Sequence, residues 1–226
     1  MKRILVVAPH CDDETLGVGG SIARFVREGC DVIVAVMTGR GTEPHPLAKT
    51  LEEPPVRSEA RDAMKILGVR ELIFENIPAA LVSDQPGYKV NQAAEAVVKS
   101  VKPEIIFLPF CWDVQLDHRT LTHAFNLAWR PHTDFGKRIR DVYMYETASE
   151  THWQISGYEP PFDPNTWVNI SEHLVTKLES LACYKSQIRP FPDARSIEAV
   201  EALARWRGSQ VSCRAAEAFV SVRRLV

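Results

Sequence analysis

The chain has 226 residues, 45% of them hydrophobic and 25% charged, with a formal net charge of -2. That length fits a single domain with a buried core over 1–226. The near-neutral charge gives no electrostatic basis for nucleic acid or an anionic membrane as the main partner. The five cysteines, Cys11, Cys30, Cys111, Cys183 and Cys213, are scattered and form no C-x-x-C. This predicts reduced thiols in a soluble cytoplasmic protein rather than a disulfide framework or a thiolate cluster. Lys2-Arg3 and the run Ile4–Ala8 are too short for a secretory signal, and no segment is apolar enough to cross a bilayer.

Strand and helix patterns alternate through the first two thirds. Ile4–Ala8 reads as a buried strand, followed by a glycine-rich turn and a helix over Leu16–Glu28 with Gly29 as its stop. Asp31–Met37 is a β-branched strand. A polar loop with Gly39, Gly41, Pro44, Pro46, Pro54 and Pro55 leads to a helix over Arg57–Leu67, closed by Gly68. Glu71–Phe74 reads as a short strand, Asn91–Val101 as a helix and Glu104–Leu108 as an apolar strand. His118–Trp129 reads as a helix and Val142–Tyr145 as a strand. Residues 147–166 read as a pocket-forming loop. Ser171 is positioned to cap a helix carrying Leu174, Leu178 and Leu181, and a last helix spans Ser196–Trp206. The alternation predicts a three-layer α/β/α, Rossmann-like fold: a mostly parallel sheet with a C-terminal helical extension.

Two clusters of chemistry-bearing residues stand at strand ends. The first, A-P-H-C-D-D-E, follows the first strand at its carboxyl end, where ligand sites form in open α/β sheets. An imidazole and a carboxylate suit zinc, so His10 and Asp13 are candidate metal ligands. Asp12 between them is a candidate base for the water that zinc acidifies. From residue types alone, two other readings stay open. Asp12, Asp13 and Glu14 are also what a helix N-terminus favours, and magnesium accepts the same carboxylates. Gly17, Gly19 and Gly20 do not make G-x-G-x-x-G, which argues against a dinucleotide.

The second cluster, D-V-Q-L-D-H, follows the strand Glu104–Leu108 and contains Asp113, Gln115, Asp117 and His118. His118 supplies a third ligand and leaves a fourth position open, as catalytic zinc requires. Asp117 is a candidate for orienting a ring. Taken alone, His118 reads better as a helix-start histidine; two His-and-Asp clusters at two strand ends favour metal.

With these motifs in place, the sequence resembles the PIG-L/LmbE family of zinc-dependent N-deacetylases. The family's A-H-P-D-D-E is met by P-H-C-D-D-E, with Cys11 in place of proline, and its H-x-D-H by Gln115-Leu116-Asp117-His118. The resemblance implies His10, Asp13 and His118 as Zn(2+) ligands and Asp12 as general base. It implies removal of an N-acetyl, or other small acyl, group from an amino-sugar-containing substrate, and assembly into a homo-oligomer, a trimer or hexamer. The stretches Glu59–Val69, Tyr145–Trp153, Lys177–Arg195 and Ala216–Phe219 resemble further family segments. Gln115 replaces the family's first histidine and His152 stands where sugar-directed members carry Glu. Gln donates a hydrogen bond to an oxyanion but delivers no proton. Either Asp12 serves as both base and acid, or His152 or His45 fills in, or turnover is impaired. Impaired turnover would make the chain a metal-containing binding protein. Arg57, His152 and Trp153 are candidate substrate-binding residues, and Trp112 a candidate platform. Arg189, Arg195, Arg205, Arg207 and Arg214 make the C-terminal third locally basic, which by default is a solvated face.

Overall fold

The computed structural model describes residues 2–41, 45–46 and 55–226; Pro44 and Pro54 of the expected loop lie outside them. In chain order the elements begin with β1 (Arg3–Ala8), α1 (Asp13–Arg27), β2 (Asp31–Gly39), α2 (Pro55–Leu67), β3 (Glu71–Pro78), α3 (Gly87–Val101), β4 (Ile105–Pro109) and α4 (Leu116–Ala128). They continue with β5 (Asp141–Tyr145), the single turn α5 (Ala148–Thr151), β6 (Thr166–Asn169), α6 (Leu174–Leu181), α7 (Ile197–Ser209) and β7 (Ala216–Arg224). The strands form one seven-stranded sheet in the order β3-β2-β1-β4-β5-β7-β6. The first five are parallel, and β7 runs antiparallel to both β5 and β6.

Burial on both faces explains why β1 and β2 read as continuous apolar runs rather than alternations. Ile4, Val6, Val32, Val34 and Phe107 face a core shared with α1, α2 and Leu181 of α6. Leu5, Val7, Ile33, Ala35 and Ile106 face the opposite core against α3 and α4. The result is the expected helix–sheet–helix layering. Among the described residues no helix is long and apolar enough to cross a membrane.

Several element boundaries differ from expectation for local reasons. β3 continues past Phe74 to Pro78, because the edge of the sheet tolerates Glu75 and Asn76. α3 starts four residues early, behind Pro86. The helix after Ser171 begins only at Leu174; Ser171 Oγ instead bonds Asn169 Oδ1 at 2.6 Å. Ser196 does cap its helix, accepting the Ala199 N–H at 3.1 Å. The segment 147–166 contains α5, and β6 and β7 were not anticipated as strands. β7 hides itself by opening on Ala216-Glu217-Ala218, with a buried carboxylate where a strand pattern calls for an apolar residue.

That carboxylate fixes α1. Glu217 accepts the N–H groups of Gly20 (2.9 Å) and Ser21 (2.7 Å) and pairs with buried Lys177, whose Nζ also donates to the Leu16 carbonyl at 2.7 Å. Glycine at 17 is obligatory by contact: a Cβ there would lie 2.2 Å from the ring of Tyr145. α1 therefore lies close on the sheet, and its N-terminal turn is held at the carboxyl end of β1.

Candidate metal centre and active site

Sheet order locates the site. The chain leaves β1 toward β2 and β3, then crosses back to β4 on the other side of β1. Such a reversal opens a crevice at the strands' carboxyl ends. His10–Glu14 follow β1 and Asp113–His118 follow β4, so both clusters meet at this crevice.

His10, Asp13 and His118 each offer one ligand atom, and these atoms lie within 4.8 Å of one another. The hydrogen bonds behind the rings fix which nitrogens face inward. His10 Nε2 bonds Asp117 Oδ2 at 2.9 Å and His118 Nδ1 bonds Asp113 Oδ2 at 2.8 Å. An ionised carboxylate only accepts, so each ring donates outward and turns a lone pair inward. Those inner nitrogens, His10 Nδ1 and His118 Nε2, stand 3.4 and 3.2 Å from the same oxygen, Asp13 Oδ2. His118 Nε2 is buried with no hydrogen-bond partner. Three acceptors facing one another require a cation or protons between them. A tetrahedral zinc with ~2.0–2.2 Å bonds separates its ligand atoms by roughly 3.3 Å, so the donor set fits this metal.

The electrostatics agree. Burial depresses His10, but its bonds to Asp117 and Asp13 outweigh this and raise it to about 9. Burial likewise opposes charging of His118, yet Asp13 and Asp113 carry it well above the usual imidazole range. Burial would raise Asp13, and the two histidines hold it far below the usual carboxylate range instead. Asp113 and Asp117 are themselves anchored. Asp113 accepts from Thr151 Oγ1 at 2.6 Å, and Asp117 from the N–H groups of Ala80 (2.6 Å) and Val82 (3.1 Å).

Asp12 precedes α1 but does not cap it: its side chain makes no capping bond, and its backbone sits at φ 107°. A non-glycine residue there stores on the order of 1–3 kcal/mol of strain. Asp12 thus occupies the N-cap position of α1 without using its carboxylate as a cap. Burial first, then the charge of Asp13, pushes the Asp12 carboxyl well above its ordinary range; Arg195, with Nη1 3.7 Å from Asp12 Oδ2, works against them. Glu14 points elsewhere, accepting from Tyr184 Oη and, at 2.8 Å, from Thr15 Oγ1.

A cavity of about 300 Å³ opens beside these residues, lined in part by His10, Asp12, Arg57, Gln115, Gln187 and Arg195. Arg57 is also in the wall, donating to the Glu75 carbonyl at 2.7 Å and lying over the Phe74 ring. His152 and Trp153 are not among the residues lining this cavity. His152 Nε2 bonds Glu146 Oε2 at 2.8 Å, on the side of Arg207, and Trp153 is 63% exposed. His45 bonds the Ala79 carbonyl at 2.8 Å and lines a neighbouring groove. Arg195 is the residue that sequence reasoning left among the solvated arginines. It is held by Ser149 Oγ (3.1 Å) and Glu150 (3.5 Å), and only the folding of the loop before α7 brings it to Asp12.

Residues 5–129, more than half of the chain, match the family described as PIG-L, GlcNAc-PI de-N-acetylase. The chain is 27% identical over 211 residues to a diacetylchitobiose deacetylase of Thermococcus kodakarensis, covering 85% of this chain and 72% of the relative. A probable N-acetyl-alpha-D-glucosaminyl L-malate deacetylase 2 of Bacillus cereus is 27% identical over 193 residues, covering 82% and 84%. The crystal structure of the conserved protein TT1542 from Thermus thermophilus superposes with a TM-score of 0.76 at 24% identity, covering 100% of this chain and 97% of the other. With the profile spanning both strand-end clusters, the chain belongs to the PIG-L family.

Proposed function

We propose that the protein is a zinc-dependent amidohydrolase that removes an N-acetyl, or other small acyl, group from an amino-sugar-containing substrate. The observation that carries this reading is the inward convergence of His10 Nδ1, Asp13 Oδ2 and His118 Nε2, each ring backed by its own carboxylate. The relatives named as sugar deacetylases supply the substrate class. The family resemblance extends the reading to assembly as a trimer or hexamer in the cytoplasm.

His10, Asp13 and His118 would hold the zinc, which when bound would supply Lewis acidity to a water and to an amide carbonyl. Asp12 takes the proton from the attacking water. Its raised affinity for a proton suits a base that must hold that proton and then return it to the departing amine. This double duty follows from Gln115, which lines the cavity and donates a hydrogen bond to the developing oxyanion but has no proton to give. His152 is bonded to Glu146 and His45 to the Ala79 carbonyl, so the proposal assigns the proton work to Asp12. Arg195 steadies the ionised form of Asp12, and Arg57 lines the same cavity as a candidate contact for the sugar.

Amine release from a panel of N-acetyl and N-formyl amino sugars tests the reading. Wild type is expected to release amine, with Asp12→Ala slower by roughly 10²–10⁴-fold and zinc retained. Gln115→His is expected to speed the reaction. Stoichiometric zinc without amine release from any substrate would leave the chain a metal-containing binding protein.

A further inference from the structure

One residue of the first strand-end motif has no part in the chemistry above. Glu14 is completely buried and is not among the residues lining the cavity. Its carboxylate accepts from three neutral donors: Tyr184 Oη and Thr15 Oγ1 (2.8 Å) on Oε1, and the Asp12 N–H (3.2 Å) on Oε2. Taking a carboxylate out of water against neutral donors is costly beside packing an apolar side chain there. Packing alone therefore does not account for a glutamate at this position.

The bond to Asp12 supplies the reason. Asp12 stands at φ 107° and ψ -30°, a conformation that a residue with a side chain keeps only where its surroundings impose it. Its backbone is held on both sides. The Asp12 carbonyl accepts from the Thr15 and Leu16 N–H groups at 3.0 and 2.8 Å, which ties it to the first turn of α1. On the other side, Glu14 supplies the acceptor for the Asp12 N–H. Rotation about the bond from that nitrogen to Cα is φ itself, so a hold on the N–H sets the direction in which the side chain leaves the backbone. The Asp12 side chain leaves it at the cavity wall. Glu14 is in turn fixed from the far end of the chain. Tyr184, buried after α6, accepts the N–H groups of Gln187 (2.9 Å) and Ile188 (3.0 Å) on its carbonyl. From that turn the chain runs on to Arg195, so Gln187 and Arg195 reach the cavity from the tyrosine that holds Glu14.

We infer that Glu14 is the positioning residue of the general base. Its carboxylate holds the Asp12 N–H, and through it the positive-φ turn that aims the Asp12 carboxylate into the cavity. Tyr184 keys that turn to the segment carrying Arg195. The inference rests on the role proposed for Asp12 and adds the residue through which the fold sets its direction.

Amine release from N-acetylglucosamine by the full, zinc-loaded chain tests it, together with hydrogen exchange of the Asp12 amide. Glu14→Met keeps the volume but removes the acceptor, and is expected to lower kcat by roughly 10²-fold, with KM and zinc content held. Glu14→Gln keeps an acceptor for the Asp12 N–H, and the hydroxyls of Tyr184 and Thr15 can turn to accept from its amide; it is expected to restore most of the rate. Tyr184→Phe deletes one bond to an intact Glu14 and should lower kcat by a smaller factor; an unchanged kcat overturns the inference. Because Glu14 acts through Asp12, Asp12→Ala/Glu14→Met should be no slower than Asp12→Ala. The same loss from Glu14→Met in both backgrounds, or a loss of zinc in place of kcat, would make Glu14 a structural residue only and overturn the inference. Exchange reads the bond without turnover: the Asp12 amide should be protected in wild type and Glu14→Gln, and lose that protection in Glu14→Met. Wild type that releases no amine, with protection lost in Glu14→Met, would sink the deacetylase reading and leave the hold on Asp12 standing. An active wild type whose Asp12 amide exchanges equally in Glu14→Met would do the reverse.

Discussion

Two of the places where the chain buries charge are built differently. At the junction of α1, α6, α7 and β7, every charge closes on another within the fold. Lys177 meets Glu217, Arg207 meets Glu146 through two nitrogens at 2.7 and 2.6 Å, and His152 completes the set. At the carboxyl ends of β1 and β4, the groups do not close. Two imidazole nitrogens face one oxygen of Asp13, and His118 Nε2 makes no hydrogen bond. A buried charge cluster that satisfies itself holds the fold together, and one that lacks a cation is a place to bind one.

The sharpest way to break this comparison is in the closed cluster. Glu217→Ala leaves Lys177 buried without its counter-charge and is expected to lower unfolding stability by about 3–5 kcal/mol in urea titration. Lys177→Met/Glu217→Leu, which removes both charges, is expected to recover most of that loss. A Glu217→Ala protein as stable as wild type would show that the cluster does not hold α1.

In the open cluster the same kind of change should touch metal rather than folding. Asp113→Asn and Asp117→Asn keep the volume of the carboxylates behind His118 and His10 but weaken their hold on the rings. Each is expected to cost about 10–100-fold in zinc affinity, measured by competition with a chelating dye. An effect on stability without one on affinity would place these aspartates with the closed cluster.

The smallest effect is one of pH. Burial alone would raise Glu146, but the bonds from His152 and Arg207 outweigh it and hold its pKa below the ordinary value. Its contribution is therefore complete above the unfolded glutamate value of about 4.3 and is lost as pH falls through the folded value. The stability difference between wild type and Glu146→Gln should be present at neutral pH and shrink in acid. A difference that does not change with pH would contradict the pairing.

The same contrast explains what could be read from sequence. The open cluster is written in adjacent residues: His10, Asp12 and Asp13 follow one strand, and Asp113, Asp117 and His118 follow another. Strand-end logic then brings the two together. Asp117 was legible as an orienting carboxylate, although which ring it served was not, and Asp113 carried no separate signal for its bond to His118. The closed cluster is written in residues far apart, Lys177 with Glu217 and Glu146 with Arg207, so no local pattern announces it. Arg195 fell to the same difficulty, being 183 positions from Asp12. His152 and Trp153 were read as substrate residues from a motif; in the fold His152 bonds Glu146 and Trp153 is exposed. Likewise β6 has only four residues and β7 opens on Ala216-Glu217-Ala218, so their place in the sheet depends on partners rather than on their own pattern.

The most direct measurement is the zinc content and affinity of the chain after chelation and reloading, compared with His118→Ala. Wild type is expected to take up zinc in a 1:1 ratio, in agreement with its single cluster of His10, Asp13 and His118 among the described residues, and to unfold at a higher temperature with zinc than without. His118→Ala should be folded and lose that uptake. A folded wild-type chain that takes up no zinc would contradict the metal centre, and with it the role proposed for Asp12.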